Sequence, residues 1–214
     1  MLVRVVSRQP RDGDLTGVCT SAKDLNLVVI LGIIEVGEDR GGQTLYCSSV
    51  YIDKGEILSV HRKLMPTYDE RLVWGPGDGH GLQVHPLKGF QISRLNCWEN
   101  WMPLPRASLY AQGSNVHFAH WPGSVGLTKD ITRFIAMESS AKVLATGGSC
   151  IAGPNGKWLI EPQTCHDTLL TADLDLEQVR EERQNFDPVG HYSRPDVTKL
   201  IVNRTRQSTV EFKD

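Results

Sequence analysis

The chain has 214 residues, of which 40% are hydrophobic and 22% charged, and its 23 basic and 25 acidic side chains leave a formal net charge of −2. That composition fits one globular domain, residues 1–214, which can bury a core without disulfides or metals, and the near-neutral balance without a basic, aromatic-laced stripe argues against nucleic acid as a partner. No apolar run approaches the ~20 residues of a membrane span or forms a signal-peptide core, and five scattered cysteines without a CxxC pair point to a reducing, cytoplasmic setting.

Residues 1–20 are polar and show no clear period, so they read as irregular. The run Leu27-Val28-Val29-Ile30-Leu31 suits a strand buried on both faces. Leu45 to Ile52 is a second strand, and Asp53-Lys54-Gly55 turns it into Glu56–Val60 as a hairpin. The glycines of Gly75–Gly81 predict a loop. Phe90–Leu95 alternates apolar and polar residues and runs into Asn96-Cys97; Pro105–Gln112 has helical composition; Asn115–Ala119 is strand-like. A helix follows over Lys129–Lys142, with Thr128 as a candidate N-cap. Pro154-Asn155-Gly156 turns Ser149–Ala152 into Trp158–Glu161. Leu169–Leu174 reads as a last strand, Glu177–Gln184 as a charged helix, and the tail after Asp187 as extended. Strands outnumber helices, which suggests a layered α/β domain with a mixed sheet.

Reactive side chains gather after three of these strands: His61–Arg71, Asn96–Asn100 and His117–Gly123. Sheets of this class tend to place ligand sites outside strand ends. A cysteine at a strand-to-turn junction becomes a nucleophile when cationic groups favour its thiolate. A lysine can stabilise both that thiolate and the oxyanion formed on attack, and a glutamate can move the protons of water and leaving group. Cys97, Lys63 and Glu70 supply these types. The seven histidines form no ligand set; His117 and His120, three apart on a strand, point to opposite faces, so neither a metal nor another cofactor is expected. Glu99 reads as a structural hydrogen-bonding residue, and Cys47, Cys150 and Cys165 as packing residues.

HRKLMPTYDERLVWGPGDG and CWENWMPLPRASLYAQG, together with GGSCIAGPNGKWLIEP and VREERQNFDPVGHYSRPD, resemble the nitrilase branch of the nitrilase, or carbon–nitrogen hydrolase, superfamily. The resemblance covers residues 24–212. It implies a four-layer α-β-β-α sandwich and a Glu-Lys-Cys catalytic set that hydrolyses nitriles, and in some branches amides, through a covalent thioimidate and thioester. On the motifs, Cys97 matches the nucleophile, Lys63 the lysine and Glu70 the second glutamate, while the backbone N–H of Trp98 stands where the family donates to the developing charge. The family's first glutamate, on an early strand after a proline, has no counterpart before Leu25, which implies that the opening strand–helix–strand unit of the fold is missing. Glu35 and Glu38 fall after it in motif order. Other departures are Asn96 in place of an aliphatic residue and the close approach of Val143–Ala145 to Gly147. The expected substrate is a small nitrile and the expected assembly a homo-oligomer, with Leu176–His191 as contact region. The alternative is a catalytically silent subunit.

Overall fold

The computed structural model describes residues 5–8, 15–37, 42–121, 125–145, 148–164 and 169–207. Two compact units emerge: residues Leu82–Val202 form one, and the chain up to Gly81 forms the other together with the segment from Asn203 onward.

The first unit in chain order is built on a four-stranded sheet, β1 (Val5–Arg8), β2 (Val28–Gly37), β3 (Thr44–Asp53) and β4 (Glu56–Arg62), in that spatial order. β1 pairs parallel to β2, and β2, β3 and β4 form an antiparallel meander. Helix α1 (Thr16–Asp24) joins β1 to β2. The strand and helix within residues 1–20 correct the expectation that this stretch is irregular. The hydrophobic period of α1 is too short to read alone; Leu15, Val18, Cys19 and Ala22 become meaningful only against Leu31, Ile33, Val50, Ile52, Ile57 and Val60, with which they form one core. β2 is longer than the apolar run suggested, and Leu31, Ile33, Glu35 and Gly37 are buried while Gly32 is exposed. One face of this strand is therefore the better covered, as an antiparallel neighbour permits. The β3–β4 hairpin closes through Lys54 (φ 49°) and Gly55 (φ 86°), both left-handed, as the mirror-image hairpin turn requires.

The glycine-rich stretch is a loop, with one short 3-10 turn at Gly79–Gly81. Its glycines are dictated by close approach. A Cβ on Gly77 would sit 2.3 Å from the carbonyl oxygen of Arg62, one on Gly81 2.3 Å from the Cα of His61, and one on Gly79 2.2 Å from the carbonyl oxygen of Asn203. The loop thus lies flush on the end of β4 and on the returning tail.

The second unit carries a six-stranded sheet in the order β10-β9-β8-β7-β6-β5. Its strands are β5 (His85–Leu87), β6 (Phe90–Asn96), β7 (Val116–His120), β8 (Lys142–Ala145), β9 (Ser149–Ala152) and β10 (Trp158–Gln163). β6, β7 and β8 are parallel; the outer pairings are antiparallel. Helices α2 (Pro103–Tyr110) and α3 (Val125–Ser139) make the two crossovers, and α4 (Leu176–Asn185) follows the sheet. Ile135 and Ala136 of α3 pack on Ala119, Trp121, Val143, Cys150 and Ala152 to form the core.

α3 begins earlier than expected, so Thr128 is no N-cap: it lies inside the helix, where its carbonyl accepts the Thr132 hydroxyl at 2.7 Å. Leu169–Leu174 forms no strand; Leu169 and Thr171–Asp173 are exposed, and the segment pairs with none of the described strands. α4 is capped by Asp175, whose side chain accepts the Glu177 N–H, and it buries Val179. The tail beyond Asp187 contains turns rather than a uniformly extended run. Glu38, Cys165 and the junction at residues 146–147 lie outside the described residues. Among those described, no helix is long and apolar enough to cross a membrane.

Candidate active site

Two short 3-10 turns present the candidate residues, and they share one local design. Residues Tyr68–Leu72 follow Thr67, and residues Cys97–Trp101 follow Asn96. Each leading residue sits in an extended conformation, and each turn has a glutamate at its third position that reaches back to it: Glu70 Oε2 accepts the Thr67 N–H at 2.6 Å, and Glu99 Oε2 accepts the Asn96 N–H at 2.7 Å. This is the capping box. In both, the first residue of the turn is left-handed, Tyr68 at φ 50° and Cys97 at φ 54°. A left-handed side-chain-bearing residue is held there only when its surroundings over-determine it.

In the β1–β4 unit, Lys63 follows directly on β4 and is only 1% exposed. Its Nζ donates to Glu70 Oε2 at 2.5 Å and to Thr67 Oγ1 at 2.9 Å. One carboxylate therefore both closes the capping box and pairs with the lysine. Backbone hydrogen bonds from Lys63 N–H to Cys47 and from Gly77 N–H to Lys63, each 2.8 Å, fix the main chain on either side. Glu35 is committed elsewhere. Buried on β2, it accepts Arg62 Nε at 3.0 Å, Arg62 Nη2 at 2.6 Å and the Ser48 hydroxyl at 2.6 Å, and the Arg62 guanidinium lies 4.0 Å from the Tyr46 ring centroid. With both carboxylate oxygens occupied, it forms a buried ion pair spanning three strands.

In the β5–β10 unit, Cys97 stands at the carboxyl end of β6, in a parallel trio whose register pairs Asn96 with His120. It is half-buried, packs against the core under α3, and is a free thiol. Trp98 is next in the turn, its ring 5.4 Å from that of Trp101 and half-exposed. A 3-10 ladder links each N–H to the carbonyl three residues back, so the leading N–H groups of such a turn have no partner within it.

Behind the cysteine lies a polar network that motif reasoning missed. Asn100 is fully buried; its Nδ2 donates to the Cys97 carbonyl at 2.9 Å and to the Leu95 carbonyl at 3.3 Å. Its Oδ1 faces His117 Nε2 at 2.8 Å, and His117 Nδ1 lies 2.8 Å from Ser93 Oγ, which contacts Ser114 Oγ at 2.5 Å. Arg106 donates to the Asn100 main-chain carbonyl at 2.7 Å and forks onto both Glu138 oxygens, and the Tyr110 hydroxyl donates to Glu138 Oε2 at 2.8 Å. Burial, with His120 and Arg106 nearby, pushes His117 down to about 3; burial beside Glu138 raises Tyr110. The signal in the sequence was polarity where a buried strand should be apolar: Ser93 and His117 sit in register on central strands. Glu99 makes the structural hydrogen bond expected of it, and Cys150 packs in the core.

Lys63 and Glu70 are thus brought together within one unit, whereas Cys97 and Trp98 are placed by the other. Among the described residues no cluster of His, Cys, Asp and Glu could hold a metal ion.

Residues 11–184 match the model of the carbon-nitrogen hydrolase family. The chain is 34% identical over 221 residues to a nitrilase from an unknown prokaryotic organism, covering 92% of this chain and 70% of that protein. It is 34% identical over 217 residues to an aliphatic nitrilase of Sinorhizobium fredii (89% and 69% covered) and, over 217 residues, to a bifunctional nitrilase/nitrile hydratase of Nicotiana tabacum (86% and 61%). The chain therefore spans 61 to 70% of the length of these relatives. Among solved structures, a Saccharomyces cerevisiae member of branch 10 of the nitrilase superfamily superposes with a TM-score of 0.75 at 16% identity, covering 86% of this chain and 74% of that one. A carbon-nitrogen hydrolase from Helicobacter pylori gives 0.70 at 20% identity, with 90% and 79% covered. These likenesses show a two-sheet α/β fold shared with that superfamily.

Proposed function

Because the chain belongs to the nitrilase branch of the carbon–nitrogen hydrolase family, we propose that it hydrolyses a small nitrile to a carboxylic acid and ammonia, with Cys97 as nucleophile. The observation that carries this reading is the strained elbow: Cys97 is a left-handed residue at the carboxyl end of a central parallel strand, held by a capping box and by Asn100.

The thiolate of Cys97 adds to the nitrile carbon. One C≡N π pair moves to nitrogen, which takes a proton, and a thioimidate forms. Water adds to that carbon, ammonia departs with the nitrogen, and a thioester remains. A second water releases the acid and returns the thiol. Lys63 stabilises the negative charge that develops during attack, together with the Trp98 N–H. Glu70 orients Lys63 and moves protons to and from water. The bifunctional relatives favour a second product: release of ammonia from the tetrahedral adduct gives the acid, whereas expulsion of the thiolate gives the amide. No cofactor enters this scheme. We further propose a cytoplasmic setting, from the scattered cysteines, and a homo-oligomer with contacts at Leu176–His191, an assembly that sedimentation of the purified chain tests.

The test is intact-protein mass spectrometry after incubation with aliphatic and aromatic nitriles, comparing wild type with Cys97→Ala. A mass increase that requires Cys97 and decays with release of acid supports turnover. A persistent adduct means that the nucleophile is competent while turnover is blocked for want of the family's first glutamate. No adduct from a folded protein rejects Cys97 as nucleophile and favours the catalytically silent subunit.

A further inference from the structure

We propose that His117 is a positioning residue for Cys97: acting through the Asn100 amide, it holds the cysteine elbow in its strained conformation and so sets the reactivity of the thiol. The inference rests on Cys97 being the reactive cysteine.

The chemistry fixes every proton in the chain. Asn100 Nδ2 lies against two carbonyl oxygens, those of Cys97 and Leu95, so that end of the amide is the donor. Its oxygen then faces His117, so Nε2 of the ring carries hydrogen. A neutral ring leaves Nδ1 bare, and it accepts from the Ser93 hydroxyl; Ser93 in turn accepts from Ser114. All the donors run one way, from Ser114 through Ser93, His117 and Asn100 to the main-chain carbonyl of Cys97. Chains aligned in this way polarise one another, and in a fully buried site each member's orientation depends on the next.

Without the Nε2 hydrogen, the buried Asn100 Oδ1 loses the donor that faces it, and the amide is anchored at its Nδ2 end only. An amide free to tilt holds the Cys97 carbonyl less firmly, and with it a residue whose φ of 54° needs holding. Burial first, then the nearby His120 and the Arg106 guanidinium, the latter also tied to the Asn100 main-chain carbonyl and to Glu138, keep the ring neutral. The alignment therefore persists throughout the neutral range.

The experiment follows alkylation of the full chain by iodoacetamide, with peptide mass mapping to read Cys97 separately from the half-buried Cys19, which lies in the other unit and serves as internal control. The variants are His117→Phe, which deletes both ring contacts, and His117→Gln, whose amide offers a donor toward Asn100 and an acceptor toward Ser93. Asn100→Asp, which replaces the donor facing Cys97 by an oxygen, decides the matter if the Phe variant does not fold. The expected result is a fall of about 10- to 100-fold in the Cys97 alkylation rate for His117→Phe and Asn100→Asp. His117→Gln should stay near wild type, Cys19 should be unchanged, and the pH profile of Cys97 alkylation should move only in the impaired variants. Equal rates in all variants overturn the proposal. So does an equal loss for Phe and Gln, which would make His117 a space-filling residue only. If nitriles leave no adduct while the alkylation pattern holds, the hydrolase reading fails and the positioning role stands.

Discussion

Glu70 performs two tasks with one oxygen, capping the 3-10 turn at Thr67 and pairing with Lys63. Glu70→Gln can keep the cap as a neutral acceptor but loses the ion pair, so turnover should fall roughly 100-fold or more while the protein stays folded, measured as ammonia release beside circular dichroism. His117 and His85 define a pH effect on stability. Burial pushes them to about 3 and about 4 from 6.5, with Arg94 also depressing His85. A histidine with a depressed folded value binds fewer protons folded than unfolded, so its stability is complete above 6.5 and is lost as pH falls toward the folded value. Each should contribute a slope of about 1.4 kcal/mol per pH unit in that window. Urea unfolding across it should show the decline, and His117→Gln should remove the part that extends lowest. Cys97, Lys63 and Glu70 could be singled out as candidates at this scale because long motifs surround them. Asn100, His117 and Ser93 were not, because their roles depend on register between β6 and β7, which no local pattern prints.

The elements divide by how far their stabilising partners lie. The β3–β4 hairpin and the Pro154–Gly156 turn are specified by residues next to each other, and both were legible. α1 was not, since it folds against strands that follow it, and Leu169–Leu174 failed for the converse reason: strand-forming residues that pair with none of the described strands. The buried pair of Glu35 and Arg62 shows long-range specification at its strongest, linking β2 to β4 across β3 with Ser48 as third member. Glu35→Ala leaves the guanidinium without its carboxylate and should destabilise the protein by about 3–5 kcal/mol in urea unfolding. A double replacement by apolar residues of similar volume should recover much of that loss.

For the whole chain, the tail binds back to the unit where the chain began. Asp78, nearly buried, accepts Arg206 Nη1 at 3.0 Å, the Gln207 N–H at 3.0 Å and the His80 N–H at 3.1 Å, while Arg206 Nη2 reaches the Val60 carbonyl at 3.3 Å. The glycine loop that receives this tail also hydrogen-bonds the main chain of Lys63. Asp78→Ala should therefore lower stability by about 1.5–3 kcal/mol and expose residues 203–207 to limited proteolysis and rapid amide exchange.

The partners Asp78 and Arg206 are 128 residues apart in sequence. A ribosome adding about 5–20 residues each second delivers the second partner many seconds after the first. Until then the glycine loop has no ceiling over Gly79, and the lysine-bearing end of β4 waits half-finished while the other sheet is already assembling. The nascent chain thus passes through an interval in which β2 to β4 are made and the loop beside Lys63 still lacks the contacts of Arg206 and Gln207. Lys63 itself leaves the ribosome ahead of Cys97, with Thr67 and Glu70 close behind it, yet the loop that hydrogen-bonds its main chain is fastened only by partners made more than a hundred residues later.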